Sequence, residues 1–228
     1  MTHDMRAQDP QARLYDAVAA TLEGRRLLTH PFYQRWEAGG LRSQELAEYA
    51  VHYRAFEAVL PTVLSTVVDR LMFDGEFETA EMVARNLADE LGRPEPHLVL
   101  FDRFAAALPA AATPAPGPAA DALADTYLAL AEQSPVAAIA GLAAYETQAA
   151  AIAATKGDGL RRWYGVGADG TTFWDVHATM DADHGDWAVE ALALLGADET
   201  EVTDASRRAA DAWWALLDER EAEGMATV

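Results

Sequence analysis

Three candidate metal ligands late in the chain constrain the fold more than any other feature of the sequence. They are His177, Asp181 and His184, separated by three and two residues. On an α-helix, where successive residues are about 100° apart, their side chains fall within a fan of roughly 60°. Two imidazoles and one carboxylate on a single helical face are typical of a site for iron or manganese. The alternative is a helix that carries two histidines on its core side by chance.

The composition favours a helical protein. Of the 228 residues, 51% are apolar, alanine is abundant, and β-branched residues are scarce outside a few clusters. Helical periodicity recurs along the chain, including about 135–155 and 158–165, and no segment has a strand pattern. We therefore expect an all-α fold with one domain over residues 1–228, arranged as an antiparallel bundle with its sites between facing helices.

Charge and cysteine content narrow the function classes. The 37 acidic and 17 basic residues give a net charge of −20, which argues against nucleic acid and against anionic membrane surfaces as partners. There is no cysteine, so a metal would need nitrogen and oxygen ligands. We find neither a signal-peptide pattern nor an uncharged apolar run of about 18 residues, and expect a cytoplasmic protein without a membrane span.

Three further residues extend the candidate metal site. Glu90 closes one predicted helix, His97 opens the next, and Glu146 lies in an otherwise apolar stretch. A lone carboxylate costs several kcal/mol to bury unless it is paired, protonated or metal-bound. Taken singly, these residues have ordinary explanations: a surface acid, a first-turn histidine and a salt-bridged acid. With the triplet they make three histidines and three carboxylates, which suits two metal ions with open positions for oxygen.

The ligand order resembles that of a known family. Glu90-x6-His97, then Glu146, then His177-x3-Asp181-x2-His184 is similar to the pattern of the haem-oxygenase-like diiron oxidases and oxygenases, over about residues 30–195. The resemblance implies a bundle of about seven to eight helices, shared with thiaminase II and pyrroloquinoline-quinone synthase C proteins. It also implies these six residues as ligands of two iron ions, or of one iron and one manganese. O₂, an external reductant and a small-molecule substrate would be the partners, with a homodimer as one option.

Other residues resemble the chlamydial members of that family, which make para-aminobenzoate from one of their own tyrosines. The segment 29–36 is similar to the one whose tyrosine is consumed, which implies Tyr33 as the precursor. Lys156 falls at the position of a required lysine and Tyr49 on a tyrosine near the site. The loop after Lys156 and the run 175–186 differ from those members.

Lys156 also stands out without any resemblance. It is the only lysine in the chain, beside sixteen arginines. A lysine amine can lose its proton, whereas an arginine guanidinium cannot, so a single retained lysine indicates a role for a neutral amine. The alternative is a surface lysine of no consequence.

Three hypotheses follow. The first is a dimetal, O₂-activating oxygenase that makes para-aminobenzoate from Tyr33 with the help of Lys156 and Tyr49. The second keeps the dimetal oxidase but gives it an external substrate, such as a fatty acid, an amino acid or a guanidine that is N-oxygenated. The third is a metal-free interaction module, which bound iron or manganese would contradict.

Overall fold

The fold is helical, as predicted. A computed structural model describes residues 9–92, 95–108 and 115–226, without the side chains of 180–186. The described residues form nine α-helices and one short 3-10 helix and contain no strand, against the seven to eight helices that the resemblance implied. In chain order the α-helices are α1 Pro10–Thr21, α2 Pro31–Glu37, α3 Ser43–Asp74, α4 Phe77–Gly92, α5 His97–Ala107, α6 Pro118–Gln133, α7 Pro135–Trp163, α8 Ala168–Leu194 and α9 Glu199–Ala226.

Capping residues in the sequence set several helix ends. The Asp9 side chain accepts a hydrogen bond from the Gln11 amide (3.1 Å) at the start of α1. The Ser134 hydroxyl does the same for the Ala137 amide (2.9 Å) at the start of α7. Both helices have proline in their first turn, where the missing N–H costs nothing. Gly75 ends α3 with φ +85°, a conformation that residues with a Cβ rarely adopt.

The predicted break near residue 156 is wrong. Instead of two helices over 135–155 and 158–165, α7 is continuous from Pro135 to Trp163. Gly159, just after the predicted break, has a packing role, because a Cβ there would lie 2.8 Å from Cδ1 of Trp36. The glycine lets α2 lie directly against α7.

Helix α7 is the one helix among the described residues that is long and apolar enough to cross a membrane. An 18-residue window in it, with at most two charged residues, reaches a mean hydropathy of 1.3. Within the protein 67% of that window is buried. The core helix of a bundle meets the same criteria, so the predicted absence of a membrane span stays a prediction.

Helix α2, which carries Tyr33, is held at both ends. At its start the Phe32 amide donates to Nδ1 of His30 (3.1 Å), so the proton is on Nε2, which donates to Asp218 of α9 (3.1 Å). At its end, the indole of Trp163 donates to the Glu37 carbonyl (2.9 Å). Contacts with α7 and α9 thus fix where Tyr33 enters the core.

Candidate metal centre and aromatic cluster

Three of the predicted metal ligands lie together where the end of α4, the start of α5 and the middle of α8 meet. One ligand atom from each of Glu90, His97 and His177 lies within 4.8 Å of the other two. His97 is buried, and its Nδ1 is 3.1 Å from Oε1 of Glu90. Ligands on opposite sides of an ion with bonds of about 2.1 Å are about 4 Å apart, so small side-chain movements would let all three bind one ion.

The donor chemistry of this group fits iron or manganese. Nδ1 of His177 donates to the Phe173 carbonyl (2.7 Å), so Nε2 is the nitrogen that could bind a metal, an arrangement common in metal-bound histidines. Neither ring nitrogen of the buried His97 makes a hydrogen bond within the described part of the chain. A buried imidazole without hydrogen bonds is costly, and a metal ion would satisfy it.

The other three predicted ligands are not brought into this group by the described residues. Glu146 is half-buried on α7 and is not a member of it. Asp181 and His184 lie in the part of α8 whose side chains are outside the description. The α8 backbone is helical throughout residues 168–194, as the spacing of the triplet required. The complete six-residue set stays a prediction.

The predicted catalytic residues Lys156, Tyr49 and Tyr33 form a hydrogen-bonded line. Lys156 Nζ donates to Oη of Tyr49 (2.6 Å), which is 2.7 Å from Oη of Tyr33. All three residues are at most 2% exposed, so the interpretation of Lys156 as a chance surface lysine is wrong. Five aromatic rings have their centroids 4.3–5.9 Å from Nζ: those of Tyr33, Trp36, Tyr49, Tyr53 and Trp174.

Burial determines the protonation of this aromatic cluster. It lowers the pKa of Lys156 well below the usual lysine value, and the negative charge of Glu57 opposes this shift only in part. Burial likewise raises the pKa of Tyr33 and of Tyr49. Ring faces attract an ammonium by up to about 2 kcal/mol each when desolvated, but losing the hydration of a charge costs more. Burial therefore favours the neutral form of the Lys156 amine and keeps both phenols neutral.

Two aromatic rings separate the metal-ligand group from Lys156. The ring centroids of His177 and Phe173 are 4.1 Å apart, and those of Phe173 and Trp174 are 4.8 Å apart. The Trp174 ring then lies 4.3 Å from Lys156 Nζ. Phe173 and Trp174 are each 1% exposed, so both rings are shielded from bulk solvent.

Sequence reasoning missed two residues of this region. Glu57 is 4% exposed and its charge acts on Lys156, Tyr49 and Tyr53. It is four residues after Tyr53 and eight after Tyr49, so the periodicity of α3 could have placed it on the same stripe. Trp174 is adjacent to Lys156 in space only, and no motif in the sequence indicated it.

Comparisons with known proteins indicate a redox enzyme. Residues 47–216 match the sequence profile of a family described as iron-containing redox enzymes. A protein of Nitrosomonas europaea named 4-aminobenzoate synthase is 35% identical over 218 residues, covering 88% of each chain. One of the same name from Chlamydia pneumoniae is 29% identical, over 86% of this chain and 89% of its own.

Solved structures show the same fold. A TenA homologue from Pseudomonas syringae superimposes with a TM-score of 0.77 at 16% identity, covering 95% of both chains. A CADD-like protein of unknown function from Nostoc punctiforme has a TM-score of 0.71 at 15% identity, over 92% of this chain and 98% of that one. At such identities the likeness concerns the fold alone.

Proposed function

The chain belongs to the family of iron-containing redox enzymes, and on that basis we propose that it is a 4-aminobenzoate synthase that uses its own Tyr33 as the aromatic precursor. The line from Lys156 through Tyr49 to Tyr33 carries this proposal, because it places a neutral amine and a phenol in one dry cluster. The names of the Nitrosomonas and Chlamydia relatives support it.

The metal would be held by Glu90, His97 and His177, together with Glu146, Asp181 and His184. Two ions, either both iron or one iron and one manganese, would supply the capacity to reduce O₂ and oxidise a nearby group, with an external reductant as electron source. The ring nitrogens of His97, which make no hydrogen bond within the described residues, and the Nδ1–H tautomer of His177 support the assignment of these two histidines.

The residues of the cluster have separate roles in this proposal. Tyr49 holds the phenol of Tyr33 in place through one hydrogen bond and Lys156 through another. Lys156 provides a neutral amine, as nitrogen donor or as proton acceptor. Phe173 and Trp174 exclude water between the metal and the cluster. Because the precursor is part of the chain, each molecule would react once.

The test is a single-turnover reaction followed by mass spectrometry. The protein is loaded with Fe(II), with or without Mn(II), in the absence of O₂ and is then exposed to O₂ and a reductant. We expect mass loss from the peptide that contains Tyr33, a second change at Lys156 if that residue is the nitrogen donor, and at most one molecule of 4-aminobenzoate per chain. Tyr33→Phe should give no product, whereas Tyr15→Phe, at an exposed tyrosine of α1, should react normally. An intact Tyr33 beside repeated oxidation of an added small molecule would contradict the proposal and favour an external substrate.

The sequence expectations for localisation and assembly stay proposals. We propose a cytoplasmic enzyme with O₂ as co-substrate and no nucleic-acid or membrane partner, consistent with the charge of −20. Light scattering of the purified protein would show whether it is a homodimer.

A further inference from the structure

A surface cleft lies between the end of α2 and the last turns of α7. It has a volume of about 240 Å³. The residues that matter for its chemistry are Glu37, Thr155, Asp158, Gly159, Arg162 and Trp163. No role in the reaction proposed above involves any of them.

The cleft is one side chain away from the aromatic cluster. Its lining includes Gly159, and the indole of Trp36 lies directly behind that glycine, 2.8 Å from where a Cβ would be. The Trp36 indole donates to the Lys156 carbonyl (3.3 Å), and its ring lies 5.9 Å from Lys156 Nζ. The Trp36 ring also packs edge to face against the Tyr33 ring, with the two ring centroids 6.4 Å apart. A molecule released from Tyr33 would pass Trp36 to reach the cleft.

Arg162 is the positively charged side chain of the cleft. Its side chain makes no ion pair or hydrogen bond within the described ranges, whereas the neighbouring Asp158 is paired with Arg161 at 2.9 Å. In a protein with a net charge of −20, an unpaired guanidinium provides a local positive charge to which a small anion can bind. The edge N–H groups of a guanidinium match a carboxylate in a two-hydrogen-bond geometry.

Trp163 gives the cleft an aromatic surface. Its ring is 47% exposed and lies 4.5 Å from the Arg162 guanidinium carbon. It is fixed by its hydrogen bond to the Glu37 carbonyl and by packing on Gly39, where a Cβ would lie 2.6 Å from its Cγ. The Glu37 and Asp158 carboxylates at the cleft can accept hydrogen bonds from an amine.

From this combination we propose that the cleft binds a small planar aromatic carboxylate that carries an amine, the chemical class of 4-aminobenzoate. Arg162 binds the carboxylate, Trp163 packs against the ring, and Glu37 or Asp158 accepts from the amine. This assignment rests on the proposed function in one respect: it makes the cleft the docking site of the released product.

Calorimetric titration of 4-aminobenzoate into the full-length protein tests the site. We expect saturable binding of one molecule per chain, competed by benzoate but not by aniline, because the carboxylate provides the charge. Arg162→Gln should weaken binding at least tenfold and Trp163→Phe should weaken it several-fold. The matched control Arg207→Gln, at an exposed arginine of α9 paired with Asp204, should leave the affinity unchanged. Circular dichroism checks that each variant is folded.

Absence of saturable binding at millimolar ligand, or equal affinity in Arg162→Gln and Arg207→Gln, would overturn the assignment. The ligand is added from outside, so the result does not depend on whether the chain can make it. Binding that depends on Arg162 supports the site even if Tyr33 stays intact in the single-turnover experiment. If Tyr33 is consumed but added 4-aminobenzoate does not bind, the proposed function is supported and the cleft has no part in it.

Discussion

At the scale of single residues, Lys156 shows how burial selects a chemical state. Its amine is surrounded by ring faces, which favour a positive charge, yet desolvation dominates and the pKa falls well below the usual value. An arginine in the same place would keep its charge and would have to be accommodated by other groups. The cluster therefore requires lysine specifically, in a chain that uses arginine at all its other basic positions.

Lys156→Met should make the protein more stable at pH 7. Burial lowers the pKa of Lys156 in the folded chain below its unfolded value of about 10.5, so the stability contribution of this lysine rises with pH between the two values. The excess stability of the variant should shrink by about 1.4 kcal/mol per pH unit between pH 7 and pH 10. Urea unfolding of both proteins across this range measures it. A constant difference would show that the folded protein keeps Lys156 protonated.

His97→Ala should abolish tight binding of at least one iron ion per chain. His97 and His52 are both 2% exposed, so His52→Ala is a matched control for the loss of a buried imidazole. The Nδ1 nitrogen of His52 lies 2.6 Å from the Glu48 carbonyl, and His52 is not in the ligand group. Metal analysis after anaerobic loading and desalting gives the iron content. Equal iron in both variants would exclude His97 as a ligand.

Residue spacing predicted the joining of Glu90, His97 and His177, but not the surroundings of Lys156. A short connection keeps the end of one helix close to the start of the next, so Glu90 and His97 were expected to be near each other in space. Lys156 meets Tyr33, Tyr53 and Trp174 only through the packing of α2, α3 and α8 on α7. Such long-range contacts leave no periodic signal in one sequence.

At the scale of helices, the packing of α2 on α7 depends on a glycine. The predicted break in α7 was wrong. A glycine lowers helix stability where nothing packs on it, but it permits close approach of a neighbour where something does, as Gly159 does for Trp36. A single sequence does not distinguish these two cases. The Asp9 and Ser134 caps, each followed by proline in the first turn, mark the starts of α1 and α7.

Gly159→Ala should destabilise the protein by about 1–3 kcal/mol, because the added methyl group forces Trp36 to move. Gly157→Ala is the control on the same helix. Its nearest neighbour would be the flexible end of the Arg161 side chain at 3.3 Å, so the better helix propensity of alanine should leave stability unchanged or up to about 1 kcal/mol higher. Thermal or urea unfolding measures both. Equal effects in the two variants would contradict the role assigned to Gly159.

At the scale of the whole molecule, charged groups tie the end of the chain to its beginning. Arg35 of α2 donates to Glu45 of α3 (2.7 Å) and to Glu221 of α9 (2.9 Å). The Arg42 side chain donates to Glu45 (2.9 Å) and to the Gly224 carbonyl (3.0 Å). The acidic excess of the chain predicted a charged surface but not these links. The arrangement of the helices was predictable only from the family resemblance, since a pattern of helices alone allows many bundles.

Glu45→Gln should cost about 1–3 kcal/mol at pH 7 and progressively less in acid. Burial raises the pKa of Glu45, but hydrogen bonds from Arg35 and Arg42 outweigh burial and the net pKa is lower than usual. A lowered pKa contributes stability above the unfolded value of about 4.5, and this is lost as pH falls through the folded value. Urea unfolding between pH 7 and pH 3 measures the difference. Glu81→Gln, in an exposed pair with Arg85, should change stability by less than about 0.5 kcal/mol at every pH.

Because the only lysine is enclosed, the reactivity of its amine reports how often the surrounding helices open. A reagent that acylates side-chain amines can reach Lys156 only when α2, α3 or α8 has moved away from it. At low reagent concentration, the labelling rate therefore gives the free energy of that opening. Every chain carries this one internal probe, without any engineered cysteine or dye. Comparing the rate before and after metal loading would show how firmly a bound ion closes the helices around it.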